Sequence, residues 1–175
     1  LAFRHGDMQS ALEAWKVCSE LASSPTQTAI AKGNLGIWHQ HHKLWDLARA
    51  YHQASLEAAD QAQDSLRAAK TLSNLGFMYM DQKDFATAER YLQNCLELAE
   101  THHYLQLQSI ALGNLGLLRY KQTDPDAAMR HYERKWLLVD KIDDKAELIK
   151  VLGNIANVHR DKAQHREALD YYRRV

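Results

Sequence analysis

Small, apolar and polar positions return along this chain in a fixed order. Gly33-Asn34-Leu35-Gly36, Ser73-Asn74-Leu75-Gly76, Gly113-Asn114-Leu115-Gly116 and Gly153-Asn154-Ile155-Ala156 stand 40 positions apart. Fourteen residues after each Asn comes an alanine: Ala48, Ala88, Ala128 and Ala168. Four residues later comes a bulky side chain: His52, Leu92, Tyr132 and Tyr172. Spacings of three and four between such positions belong to helices. No Val/Ile/Thr-rich alternating run closed by an Asn-Gly or Asp-Gly turn is present. The pattern predicts a lone helix over about 7–22, then helical hairpins over about 26–42 with 44–60, 65–82 with 84–101, 105–121 with 125–141, and 145–162 with a helix from 166 onward. Ser24-Pro25 and Asp124-Pro125 each pair a capping oxygen with the preset φ of a first-turn proline, and Asp84 is placed to cap the helix that carries Phe85 and Ala88.

Four in-phase copies define a solenoid in which each unit buries its apolar face on its neighbours. A partial copy leads the chain, with Gly6-Asp7, Ala11 and Trp15; Ala11 precedes Ala48 by 37 positions, so one connection is shorter. The expected organisation is one repeat array over 1–175, with a partial repeat at 1–24 and repeats at about 25–63, 64–103, 104–143 and 144–175. Gly in a helix interior costs about 1 kcal/mol relative to Ala. Its return at Gly36, Gly76 and Gly116 predicts a close helix contact, with Ala48, Ala88, Ala128 and Ala168 as the facing residues.

Leu72-Ser73-Asn74-Leu75-Gly76-Phe77-Met78-Tyr79, followed by Phe85, Ala88 and Tyr91, resembles a tetratricopeptide repeat. That family's pattern places Leu-Gly-x-x-Tyr in the first helix and Ala-x-x-x-aromatic in the second. The resemblance covers almost the whole chain. The long repeat unit, and the literal Leu112-Gly113-Asn114 and Leu152-Gly153-Asn154, are similar to the Leu-Gly-Asn repeat adaptors of spindle orientation and to kinesin light chains. The resemblance implies an all-α fold, a right-handed α-solenoid of antiparallel helical hairpins. Arg119 and His159 stand where that pattern usually has Tyr, and Lys135 where it has a small residue.

Composition narrows the function classes. The 175 residues are 46% apolar, enough for a substantial core, and 22 basic side chains balance 22 acidic ones. A neutral chain is not expected to bind nucleic acid through a basic surface. No run of about 18 apolar residues is present to span a bilayer. The opening Leu1-Ala2-Phe3-Arg4-His5 is not signal-peptide-like and lacks an initiator Met. The reading is therefore a cytoplasmic segment of a longer protein, with apolar repeat ends exposed for self-association. Cys18 and Cys95, each seven residues after a repeat alanine, are expected to be reduced core thiols.

Candidate chemistry is sparse. Ten histidines raise the question of a metal, but His39 and His42 share a helix face with no Cys or carboxylate at ligand spacing, and His102-His103 fall in a turn. These histidines are expected to be solvated or amphipathic. No nucleophile elbow, metalloprotease His pair or phosphate-binding Gly-Lys-Thr/Ser motif occurs, so neither an enzyme nor a cofactor is expected.

The repeated Asn is the informative residue. Beside a small neighbour, Asn34, Asn74, Asn114 and Asn154 keep uncovered amides, each with a donor and an acceptor. First helices of a stacked array line its concave surface, so these amides would form a ladder able to pair with an extended peptide backbone. The resemblance implies the same contact. Inter-helix hydrogen bonding and plain solvation are the other roles open to the Asn. Flanking positions on the same face would set specificity: Ile30, Ile37 and His41 in repeat one, Lys70, Phe77 and Asp81 in repeat two, Ile110, Leu117 and Lys121 in repeat three, Lys150, Asn157, Arg160 and Asp161 in repeat four. Apolar residues early and a mildly basic end later suit a protein or peptide partner with acidic character; ordinary amphipathic solvation explains the same residues equally well. The expected function is a protein–protein interaction scaffold or adaptor. The alternative is a peptide-sensing or regulatory repeat domain of a bacterial signalling protein.

Overall fold

The computed structural model describes residues 5–174, with side chains from Ser10 onward. Leu1–Arg4 and Val175, on which parts of the readings of the chain ends rest, lie outside the described residues. The described residues form helices α1 (His5–Glu20), α2 (Pro25–His41), α3 (Trp45–Gln61), α4 (Ser65–Asp81), α5 (Phe85–Thr101), α6 (Leu105–Lys121), α7 (Pro125–Lys141), α8 (Lys145–Asp161) and α9 (His165–Tyr172). No strand occurs among them. The helices of the first three hairpins lie where the repeat pattern predicts them, within a residue at nearly every end.

The repeat period resolves into two equal halves. The helices α2 to α8 share one length, 17 residues. A three-residue turn joins each of them to the next helix. The middle residue of the turn is left-handed in every case: Lys43, Gln63, Lys83, His103, Thr123, Asp143 and Ala163, with φ of 53–62° and no glycine among them. The third residue closes the preceding helix, its N–H bonding a carbonyl five residues back, as in Leu44 to His39 and Asp124 to Arg119. The same residue opens the next helix, its carbonyl accepting from the N–H four residues on. At Asp64, Asp84, Asp124 and Asp144 its carboxylate also caps, accepting from the N–H of Arg67, Thr87, Ala127 and Glu147. One residue thus ends one helix and starts another, which fixes the hairpin geometry.

Two compact units are present, Leu1–Met78 and Tyr79–Val175. In the first, α1 packs on α2 and α2 on α3. Its core contains Leu12, Ala29, Leu35, Ala48, His52, Ala59 and Leu75. In the second, α5, α6, α7, α8 and α9 each pack on the next, and α6 also meets α8. There Ala128, Tyr132, Val139, Val151, Ile155 and Val158 form one cluster, with Tyr120, Trp136 and Tyr171 against it.

The small residues do not work as the sequence suggested. The repeat alanines are buried, but the groups facing the glycines are the bulky side chains four residues further on. A Cβ at Gly36 would lie 2.5 Å from His52 Nδ1, and one at Gly116 would lie 2.4 Å from Tyr132 Cε1. Glycine is required there because a buried ring lies flat against the helix backbone. Gly33 and Gly113 serve the position three residues beyond that ring, where Cβ atoms would meet Ser55 Oγ at 3.1 Å and Lys135 Nζ at 2.9 Å.

Candidate functional site

The faces of the first helices of the hairpins carry the candidate residues. On α2, Ile30, Asn34, Ile37 and His41 recur at spacings of four, three and four, so they share one side. Ile30, Ile37 and His41 are exposed, while Asn34 is half-buried. On α4, Lys70 and Phe77 are exposed about the half-buried Asn74, and Asp81 is exposed at the helix end. On α6, Ile110 and Lys121 are exposed, and Asn114 and Leu117 half-buried. On α8, Lys150 and Arg160 are exposed, and Asn154 and Asn157 half-buried. Since α6 and α8 touch, Asn114 and Asn154 stand on neighbouring helices of one unit.

The four repeat asparagines are alike in one decisive respect. Each is half-buried, and none of their amides makes a side-chain hydrogen bond among the described residues. A half-buried primary amide offers a donor and an acceptor close to apolar surface, where a hydrogen bond is worth more than in open water. The flanking positions are less uniform. Asn157 Oδ1 accepts from Tyr172 Oη at 2.6 Å, so this amide is already engaged by α9. Arg160 Nε donates to Asp161 Oδ1 at 2.9 Å, and Tyr120 donates its hydroxyl to the same carboxylate. Lys150 Nζ lies 2.6 Å from Glu147 Oε1. The basic character expected at this end is therefore largely neutralised within the chain. Lys70 and Lys121 are the candidate lysines without an ion pair among the described residues.

Several side chains that local pattern left unassigned shape the surroundings. Lys135 is buried on α7, its Nζ 2.6 Å from Glu147 Oε2 on α8. Glu147 thus accepts from two ammonium groups. Burial alone would raise its pKa, but Lys135 and Lys150 together hold the carboxyl below its ordinary value. The equivalent Ser55 on α3 donates to the Ala29 carbonyl at 2.7 Å and lies 3.2 Å from Thr71 Oγ1 on α4. A lysine at a position that elsewhere holds Ser55 or Cys95 was the one available signal for a buried carboxylate partner.

Two expectations need correction. His39 is buried, not solvated: its ring stacks on Tyr51, centroids 5.0 Å apart, because this side of α2 faces α3. Cys95 is a core thiol, but Cys18 is exposed. Where Ser55 is enclosed by α2 and α4, Cys18 opens into a cleft of about 460 Å³ lined by Trp15, Val17, Leu21, Ile30 and Asn34. No cluster of three His, Cys, Asp or Glu side chains fit for a metal occurs among the described residues. No described helix is long and apolar enough to cross a membrane.

Comparison with known proteins places this geometry. The family profile described as tetratricopeptide repeat matches residues 67–134. No curated protein matches the chain by sequence. Among solved structures, BtubC from P. vanneervenii is similar over 97% of this chain and 72% of its own, with a TM-score of 0.82 and 20% identity. A Rap protein complexed with competence and sporulation factor is similar over 97% of this chain and 48% of its own, with a TM-score of 0.84 and 14% identity. A putative kinesin light chain repeat protein from Podosopora anserina is similar over 97% of this chain and 85% of its own, with a TM-score of 0.75 and 12% identity. At these identities the likeness is one of fold, that of tetratricopeptide-like helical solenoids. The profile match at 67–134, and the same hairpin continuing on both sides of it, give the described residues the fold of tetratricopeptide-like repeats.

Proposed function

We propose that the chain is a protein–protein interaction module that holds an extended segment of a partner on the first helices of the hairpins within a unit. The observation that carries this reading is the set of four equivalent, half-buried asparagine amides without side-chain partners among the described residues. An amide can donate to a peptide carbonyl and accept from a peptide N–H, so the contact holds backbone without reading sequence. Ile30, Ile37 and Phe77 in the first unit, and Ile110 and Leu117 in the second, would each take apolar side chains of a segment held on that unit. Lys70 and Lys121 are the groups left to favour an acidic residue, since Lys150 and Arg160 are already paired.

The test is a pull-down with the intact parent, peptide-array mapping of the captured partner, and titration calorimetry on the mapped peptide. Asn114→Ala with Asn154→Ala removes two amides from one unit. Each hydrogen bond lost is worth about 0.5–1.5 kcal/mol, so affinity should fall about five- to a hundredfold at unchanged melting temperature. Unchanged affinity would move the binding surface off the first helices. Lys121→Glu should instead slow association with an acidic peptide and alter its salt dependence.

A second reading is favoured by the fold match to the Rap protein complexed with competence and sporulation factor. There the ligand would be a short free peptide and the chain the sensing part of a bacterial regulator. Tight binding of a free peptide with unblocked termini, lost when the same sequence is embedded in a protein, selects this reading over the scaffold.

A further inference from the structure

Three equivalent positions stand four residues after Ala48, Ala88 and Ala128. Two are filled by Leu92 and Tyr132 and one by a histidine, His52. All three side chains are buried almost completely. His52 is the one that can take a charge by gaining a proton. Its ring lies against Gly36 so closely that a Cβ there would approach Nδ1, Cε1 and Cγ to within 2.5–2.9 Å. Its Nε2 lies 3.3 Å from Gln40 Oε1, and its Nδ1 has no partner. This is the hydrogen-bonding pattern of a neutral imidazole with its proton on Nε2. A second proton would sit on Nδ1, against the α2 backbone, with no acceptor.

We propose that the α2–α3 hairpin is an acid-release element: protonation of buried His52 opens this hairpin, and with it the face bearing Asn34 and Ile37. The surroundings offer the new charge no compensation. From α2 the ring meets Gly36 and the neutral Gln40, and α4 meets α3 through the neutral Ser55 and Thr71. The second buried imidazole of the hairpin, His39, also has an unpartnered Nδ1. It faces His42 on its own helix, Lys16 from α1 and Tyr51 from α3, and Lys32 lies over that Tyr51 ring. Lys16 is in turn paired with Glu13 at 3.2 Å. No carboxylate among the described residues accepts from either buried imidazole.

Burial pushes His52 down from 6.5 to about 4 in the folded hairpin. His39 is lowered by burial, then by His42 and Lys16. The folded state therefore binds protons less readily than the open one. Stability is full above the open-state value of 6.5 and is lost as pH falls from there toward the folded-state value. Between pH 7 and pH 5, His52 alone shifts the hairpin equilibrium toward the open form about twentyfold. His131 on α7 is also lowered, by burial and by Arg134, Arg119 and Arg130, but it is only half-buried. The α2–α3 hairpin opens first. This inference concerns the fold and stands whether or not the asparagines hold a peptide.

Hydrogen exchange read by mass spectrometry at pH 7 and pH 5, corrected for intrinsic exchange rates, tests it on the chain as it is. Peptides from 25–61 should lose protection about twentyfold at pH 5 relative to pH 7, and more than peptides from 105–141. His52→Leu and His52→Tyr, which import the side chains of the equivalent positions, should abolish most of the loss. A wild-type hairpin equally protected at both pH values overturns the proposal with no variant needed. So does a loss that persists undiminished in whichever variant folds.

Discussion

Adding one methyl group at two glycines of the first helices, which hold different places in the repeat, should give opposite results. Gly116 and Gly153 both lie inside first helices, α6 and α8. Replacing glycine by alanine in a helix interior gains about 0.5–1 kcal/mol from reduced backbone entropy. At Gly153 nothing lies within 4 Å of the new Cβ, so the full gain is expected. At Gly116 the Cβ would lie 2.4, 2.6 and 2.9 Å from three ring atoms of Tyr132. That ring is fully buried in the cluster of Ala128, Val151 and Ile155 and has nowhere to retreat. Overpacking a filled core costs about 1–3 kcal/mol, and contacts this short belong at the upper end. Gly116→Ala should therefore be net destabilising by about 1–2 kcal/mol, leaving the two variants about 2–3 kcal/mol apart. For a chain of this size that is roughly 4–12 °C in melting temperature. Thermal and urea unfolding of each variant measure it. Tyr132→Leu supplies the decisive cross: in its background the penalty of Gly116→Ala should shrink by about 1 kcal/mol or more, since the ring is gone. Equal stabilisation by both alanines would refute the ring-on-backbone account of these glycines.

Two further outcomes follow from the turns and the buried ion pair. Thr123 is β-branched yet holds φ at 60°, so Thr123→Gly should raise stability by about 0.5–2 kcal/mol, read as a higher urea midpoint at unchanged slope. Glu147→Gln leaves the buried Lys135 ammonium without its carboxylate and should destabilise by about 1–3 kcal/mol, whereas Lys135→Met should be near neutral or stabilising, both by thermal melts. Because Lys135 and Lys150 hold the Glu147 carboxyl below its ordinary value, this contribution is present above the unfolded carboxylate range and fades as pH falls through it.

The helices were legible because the repeat is strict. Asn34, Asn74, Asn114 and Asn154 set a register from which every helix could be placed. The turns were legible as positions but not as conformations, since Lys43, Thr123 and Ala163 carry none of the glycine signal that usually marks a left-handed residue. What local periodicity cannot encode is which side chain a neighbouring helix presents. Gly36 and Gly116 read as small-residue contacts with alanine, but the facing groups are rings from the next turn of the partner helix. His39 read as a polar residue on a mixed face, and Tyr51 is what buries it. Lys135 stood out as a charge at a small-residue position, yet its partner Glu147 lies one helix further on. The candidate face is intermediate: its asparagines were readable from spacing, while the pairing of Lys150, Asn157 and Arg160 required coordinates.

All seven glycines of the chain lie inside helices, and none serves its left-handed connections. Because α2 to α8 share one length and one connection, a cut at any turn meets the same backbone conformation one repeat further on. Hairpins are thus interchangeable parts as far as the main chain is concerned. The order of the hairpins is instead written in side chains that fit only one neighbour: Ser55 with Thr71, Lys135 with Glu147, Tyr120 with Asp161. A chimera that exchanges hairpins would keep its backbone and lose these pairs, so shuffling is limited by polar matching across each joint and not by the geometry of the turn.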